Sequence, residues 1–157
     1  MNKTVSVFTL LFSLAFLGAC QTPAEENVPA AAEERNSTVR SSSAEGAALY
    51  IISPMDGDET GGSITVRFGL SGMGVAPAGT LKDNTGHHHL LIDVEVLPSF
   101  EFPIPNDANH RHFGGGQTQV SLDLEPGTQT LQLILGDQNH IPHEPPLVSD
   151  RITITVN

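Results

Sequence analysis

The sequence is poor in cysteine, aromatic residues and basic residues. Its 157 residues include a single cysteine, Cys20, no tryptophan and one tyrosine. A single cysteine cannot close a disulfide within the chain, and it offers no pair of thiols for redox chemistry. Disulfide-stapled folds and dithiol oxidoreductases are therefore excluded.

Acidic residues outnumber basic ones. There are 18 aspartates and glutamates against seven lysines and arginines, and from Ala47 onward the count is 13 against four, a net charge of −9. Phosphate backbones need a basic protein face, so nucleic acid is excluded as a partner, and so is a basic patch on anionic lipid. The acidic balance suits either solubility alone or an affinity for cations, and charge does not choose between them.

The N-terminus has the parts of a bacterial export signal. Residues 5–17 form an apolar stretch that is too short and wrongly flanked for a membrane span. The segment Leu-Gly-Ala-Cys at residues 17–20 resembles the bacterial lipobox, in which the cysteine is acylated and becomes the first mature residue. We therefore predict a signal peptide over residues 1–19 and a lipid anchor on Cys20, the alternative being a plain signal peptide with an incidental cysteine. Since Gln21 follows rather than aspartate, the resemblance implies the outer membrane, facing the periplasm.

Residues 20–46 have the composition of a disordered linker. They are rich in alanine, glutamate, serine and proline and have almost no large apolar side chain, so they cannot offset the entropy of ordering. A flexible coil of this length spans roughly 25–30 Å. We predict that this linker holds a domain, residues 47–157, away from the membrane.

Apolar residues of the domain recur with the two-residue period of β-strands. The segments with this period are 48–53, 63–70, 88–97, 117–124, 129–136 and 149–156. Residues 100–104 form a candidate seventh strand, which the surrounding prolines would confine to a sheet edge. We predict an all-β fold, an immunoglobulin-like sandwich of about seven strands in two sheets. Its first strand would begin at the end that carries the histidine loops, so the linker would leave from that end.

Seven histidines lie in three clusters, residues 87–89, residues 110–112 and residues 140–143. The loops near these clusters gather at one end of the predicted sandwich, so the histidines should converge. His87 and His89 share one strand face because their spacing is two, while His88 points to the apolar face.

Converging imidazoles indicate a transition-metal site, and copper and zinc are the ions that suit an exported protein best. The predicted ligands are His87, His89, His140 and His143. Residues predicted to support them are His88, Asp93, His110, His112 and Asp137.

Two other functions stay open. The first is a structural or protein-interaction module, in which the histidines only hold irregular loops in place by hydrogen-bonding backbone groups that have no other partner. A protein partner would then bind the loop residues Ile141, Pro145, Pro146 and Leu147. Alternatively, His87, His89 and Asp93 would belong to a cupin-like metalloenzyme, although the strand count and glycine spacing fit a cupin poorly. The sequence contains no catalytic triad motif, phosphate-binding loop or cysteine nucleophile.

Three segments carry a resemblance to a known family. They are residues 86–93 with the triple histidine, residues 112–118, and residues 131–143, which end in Gly-Asp-x-x-His-x-Pro-His. Together they resemble the bacterial domain of unknown function 4399, over about residues 51–156. This resemblance implies a fold but no activity. The sequence as a whole predicts a non-catalytic envelope lipoprotein with a histidine-rich metal site, and it identifies no protein partner.

Overall fold

The computed structural model of the protein describes residues 40–157. The predicted signal peptide, Cys20 and linker residues 20–39 lie outside the described residues. Within residues 40–157, no helix is long and apolar enough to cross a membrane.

The described residues form strands joined by turns and irregular loops, with no helix among them. In chain order the strands are β1 (Ala48–Ser53), β2 (Glu59–Thr60), β3 (Ser63–Ser71), β4 (Gly74–Val75), β5 (Thr85–Ile92), β6 (His110–His112), β7 (Gln119–Asp123), β8 (Gly127–Gly136) and β9 (Ile152–Val156).

The strands form two sheets. One has the order β1-β3-β7, and the other has the order β2-β9-β8-β5-β4, with β6 also paired to β5. The long pairings are antiparallel, and only the two-residue strands β2 and β4 pair in parallel with β9 and β5. The prediction of an all-β sandwich is confirmed. The sheet of β1, β3 and β7 faces the sheet of β5, β8 and β9, as in immunoglobulin domains.

The core lies between the sheets, where the period-two pattern places the apolar side chains. Val66 and Phe68 of β3 face Leu131, Leu133 and Leu135 of β8, and all five are buried. Burying an aliphatic or phenyl side chain of this size contributes about 1.5–3 kcal/mol. The same alternation applies to β5, in which every second side chain points away from this core, to the outer face of the sheet.

The predicted strand at residues 100–104 is wrong. This segment forms turns, and its Ile104 packs on Leu91 and Ile134, which lie on the outer face of the six-stranded sheet. Prolines at 98, 103 and 105 deprive the segment of backbone donors, so it covers the sheet instead of extending it. The predicted strand 88–97 is also shifted, since β5 begins at Thr85 and ends before Asp93, which has a φ of 55°.

Residues 40–46 were assigned to the linker, but they lie against the domain. Ser42 forms a β-bridge with Glu144, Arg40 Nε donates to the carbonyl of Pro142 at 3.0 Å, and Ser41 Oγ donates to Asp137 Oδ2 at 2.9 Å. These contacts are polar and bury no large apolar side chain, so composition does not reveal them. The folded part therefore extends to Arg40, and the chain enters it beside the loop that carries His140 and His143.

Candidate metal centre

The three consecutive histidines of β5 point alternately to the two faces of the sheet. His88 points inward, where its ring packs 5.1 Å from the ring of Phe68 and its Nδ1–H donates to the carbonyl of Gln117 at 3.2 Å. His87 and His89 point outward, yet each is only 1% exposed because loops cover that face. The site therefore lies on the covered outer face of the sheet and is not confined to the loops at the end of the sandwich.

Four histidines from three segments meet on this face. His112 of β6 is paired with His89 across the sheet, and His140 reaches in from the loop after β8. One ring nitrogen from each of His87, His89, His112 and His140 lies within 4.8 Å of one from each of the others. Two pairs are within hydrogen-bond distance, His89 Nε2 with His87 Nε2 at 3.0 Å and His87 Nε2 with His140 Nδ1 at 3.1 Å. We call these four residues the histidine cluster.

Two glycines have no side chain where the rings of His89 and His112 lie. Gly136 pairs with His87, and a Cβ there would lie 3.0 Å from His89 Nε2. A Cβ on Gly114 would lie 2.4 Å from Cε1 and 2.6 Å from Nε2 of His112. A Cβ on Gly114 would therefore displace the His112 ring, whereas one on Gly136 would require a smaller shift of the His89 ring.

The loop that carries His140 is organised by Asp137. The Oδ1 atom of Asp137 accepts backbone N–H groups from Asn139 at 2.8 Å and Ile141 at 3.0 Å, while its carbonyl accepts the N–H of His140 at 3.0 Å. His140 has a φ of 66°, in the left-handed region that non-glycine residues rarely adopt. Such a conformation persists where surrounding bonds enforce it, and here it turns the His140 ring toward the cluster.

Burial favours the neutral form of three of the cluster histidines, His87, His89 and His112. It lowers the pKa of His87 to about 4, with the charges of His112 and His140 as smaller causes, and it lowers the pKa of His89 to about 2. Burial also lowers the pKa of His112. At neutral pH these imidazoles are uncharged, so each has a nitrogen lone pair to offer.

The cluster has the composition and spacing of a metal site. Four imidazole nitrogens suit zinc, copper, nickel or iron, and tetrahedral zinc with bonds of about 2.0–2.1 Å places its nitrogens about 3.4 Å apart. The observed spacings, from 3.0 Å to the 4.8 Å limit, bracket that value. Among the described residues, Nε2 of His112 is buried with no hydrogen-bond partner, but so are Nε2 of His88 and Nδ1 of His143 outside the cluster, so the indication of a metal rests on the proximity of the four rings. The histidine cluster could therefore hold a metal ion.

Of the four predicted ligands, the structure brings three together. His87, His89 and His140 are in the cluster, but His143 is not: its Nε2–H donates to the carbonyl of Thr85 at 3.1 Å. The fourth member is His112, which the sequence suggested only as a supporting residue. Two features of the sequence point to His112: it alternates with His110 about Arg111, and glycines follow it. A three-residue strand is nevertheless too short to recognise by periodicity.

The other predicted supporting residues lie outside the cluster. His110 Nδ1 is 2.9 Å from Oδ1 of Asp107, and this hydrogen bond lowers the pKa of the exposed Asp107 carboxyl. Asp93 ends β5 by accepting the backbone N–H of Thr130 at 2.7 Å. Asp93 is thus not grouped with His87 and His89, and the cupin-like ligand set is not formed.

The apolar residues considered as a protein-binding surface are mostly covered. Ile141 is 3% exposed and Leu147 is 8% exposed, and Leu147 is part of the core. Pro146 is half-buried and only Pro145 is exposed. This loop therefore lacks the continuous apolar surface that the interaction hypothesis requires.

The fold and the cluster together define an all-β sandwich domain with a buried polyhistidine site on the outer face of one sheet. The family model described as "Domain of unknown function (DUF4399)" matches residues 66–157, which include all four cluster histidines. Since the match covers more than half of the chain, the protein belongs to this family. Comparisons with curated proteins and with solved structures gave no match.

Proposed function

We propose that this protein is a non-catalytic module that binds one divalent transition-metal ion, copper or zinc, in the bacterial cell envelope. His87, His89, His112 and His140 are the ligands. The observation that carries the proposal is the convergence of four imidazoles, those of His87 and His89 buried, with one ring nitrogen of each within 4.8 Å of one from each of the others.

The contacts within the cluster favour a metal over a purely structural role. A histidine that pins a loop donates its N–H to a carbonyl, as His88 and His143 do. In the cluster, by contrast, Nε2 of His87 lies near nitrogens of both His89 and His140. This nitrogen carries either one N–H or one lone pair, so it cannot form a good hydrogen bond with both neighbours. A cation at the centre of the cluster would instead accept a lone pair from each of the four rings.

The ligand set also favours holding a metal over catalysis with it. Four protein ligands complete the coordination of zinc, as in sites that retain the ion, whereas catalytic zinc has three protein ligands and a water. The set has no thiolate or thioether, which are the ligands that select Cu(I), so the divalent ions are favoured.

The decisive experiment is a metal titration of the full chain, expressed without a histidine tag and stripped with a chelator. Zn(II) and Cu(II) should each bind at one ion per chain at micromolar or lower free metal. The double variant H87A/H89A should lose this binding. The matched control is H110A, which removes a histidine that lies in β6, the strand that carries His112, but outside the cluster, and it should bind like the unaltered chain. Absence of binding at micromolar metal would overturn the proposal.

The envelope location is supported by the export signal and by the Leu-Gly-Ala-Cys segment ending at Cys20. We propose that lipid on Cys20 anchors the chain in the outer membrane, on the periplasmic side. The variant C20S should lose labelling by radioactive fatty acid and leave the membrane fraction. Equal labelling of the two chains would refute the anchor without affecting the metal site.

A further inference from the structure

The only acid on the His140 loop that is deeply buried is Asp137, which is 1% exposed. Its carboxylate accepts the N–H groups of Asn139 and Ile141 at Oδ1 and the hydroxyl of Ser41 at Oδ2. All three donors are uncharged. Among residues 40–157, no lysine, arginine or histidine forms a salt bridge with it.

A buried carboxylate without an opposite charge is costly, because uncharged donors replace only part of its hydration. A turn of this shape does not need the charge. Asparagine offers the same oxygen to the two backbone N–H groups, and its amide can donate to a serine hydroxyl. The negative charge of Asp137 is therefore unexplained by the loop that it organises.

The charge lies where it can act on the histidine cluster. Asp137 follows Gly136, which pairs with His87, and it precedes His140 by three residues. Its backbone carbonyl accepts the N–H of His140 at 3.0 Å, so Asp137 is fixed between the segments that carry two of the four ligands. Imidazole binds a metal in its neutral form, so four imidazole ligands would bring no charge to balance a bound dication.

Resting on the proposed metal site, we infer that Asp137 is the built-in counter-charge of the bound ion. It is a positioning residue that touches no metal: its oxygens hold the His140 loop, and its charge compensates the cation electrostatically through the low-dielectric interior. The metal-free protein carries this charge unbalanced, and metal binding balances it.

This inference predicts that two measured quantities respond in opposite directions to the variant D137N. Affinity for Zn(II) should fall about ten- to a hundred-fold, the range typical of groups behind metal ligands. The melting temperature of the metal-free chain should stay equal or rise, since a neutral amide replaces an unbalanced charge. A residue that only braced the loop would lower both quantities together.

The matched control is S41A, which removes one donor to Asp137 but keeps the charge. It should lower the melting temperature of the metal-free chain and leave Zn(II) affinity within about threefold of the unaltered chain, because the control keeps every ligand and the counter-charge. Both variants and the unaltered full chain are titrated with Zn(II) alone and melted in the presence of chelator.

The outcomes separate this inference from the proposed function. If the unaltered chain binds Zn(II) and D137N binds it equally well, or if metal-free D137N is destabilised, the counter-charge role is refuted and the metal site stands. If S41A loses as much affinity as D137N, bracing rather than charge is the role of Asp137. If the unaltered chain does not bind Zn(II), both proposals fail.

Discussion

The variant G114A tests whether His112 is a ligand without altering any histidine. The φ of Gly114 is not in the left-handed region, so alanine is compatible with the backbone. An added Cβ would lie 2.4 Å from Cε1 and 2.6 Å from Nε2 of His112, against an ordinary contact distance of about 3.5–4.0 Å. The His112 ring must therefore move by about 1 Å or more.

The expected cost differs between folding and metal binding. The added Cβ would also lie 3.3 Å from Cβ of Ala78, which must shift by a few tenths of an ångström, but the two closest atoms are the far end of the His112 side chain, so the ring can rotate away at a cost of about 1 kcal/mol to stability. For the metal, however, rotation removes one ligand of four. Structural zinc sites contribute about 10–16 kcal/mol, so one ligand is worth about 3 kcal/mol, or roughly a hundredfold in Kd.

The assay is competition between the chain and a chromophoric chelator for Zn(II), with melting curves of the metal-free proteins. The matched control is G61A, because a Cβ on Gly61 meets nothing within 4 Å. We expect G61A to match the unaltered chain in both measurements and G114A to lose affinity while melting within a few degrees of it. Unaltered affinity in G114A would show that His112 is not a ligand.

Further predictions concern pH, the N-terminal segment and the two loop histidines. Burial lowers the pKa of His88 to about 4, so the unfolded chain takes up a proton first as pH falls from 6.5. Between pH 7.5 and 4 this residue alone should cost the metal-free protein on the order of 3 kcal/mol, the lowered pKa values of His87 and His89 should add to the loss, and equal urea midpoints would contradict this. A chain that begins at Ala47 lacks the Arg40 and Ser41 bonds, so it should melt several degrees below one that begins at Arg40, and identical melting would show that residues 40–46 do not stabilise the domain. H140A should abolish tight metal binding, whereas H143A should lower stability and retain binding; the reverse result would restore His143 as the ligand.

Much of the fold is readable from the sequence because one face of each long strand is buried. In β3 and β8 the alternation of apolar and polar residues sets both the strand and its inward face. The same rule places His87 and His89 outward and His88 inward. Residues 100–104 misled the prediction, because an apolar segment that covers the outside of a sheet has the composition of a strand.

The histidine cluster is only partly readable, because its geometry depends on pairings that have no local pattern. His112 joins the cluster because β6 pairs with β5 and places it opposite His89, and this pairing links residues far apart in sequence. His140 was distinguishable from His143 only by its left-handed backbone and by the bonds of Asp137. The packing of residues 40–46 was hidden for a related reason, since isolated polar contacts leave no periodic signal.

The most direct test of the central claim is X-ray absorption at the zinc edge, on the full chain loaded with one equivalent of Zn(II). The proposed site predicts about four nitrogen neighbours at about 2.0 Å, with the outer-shell scattering of imidazole rings. In H87A/H89A, which should not bind the ion, the added Zn(II) should show the oxygen shell of the hydrated ion. A shell of oxygen neighbours with one imidazole or none would contradict the assignment of the histidine cluster as the metal centre.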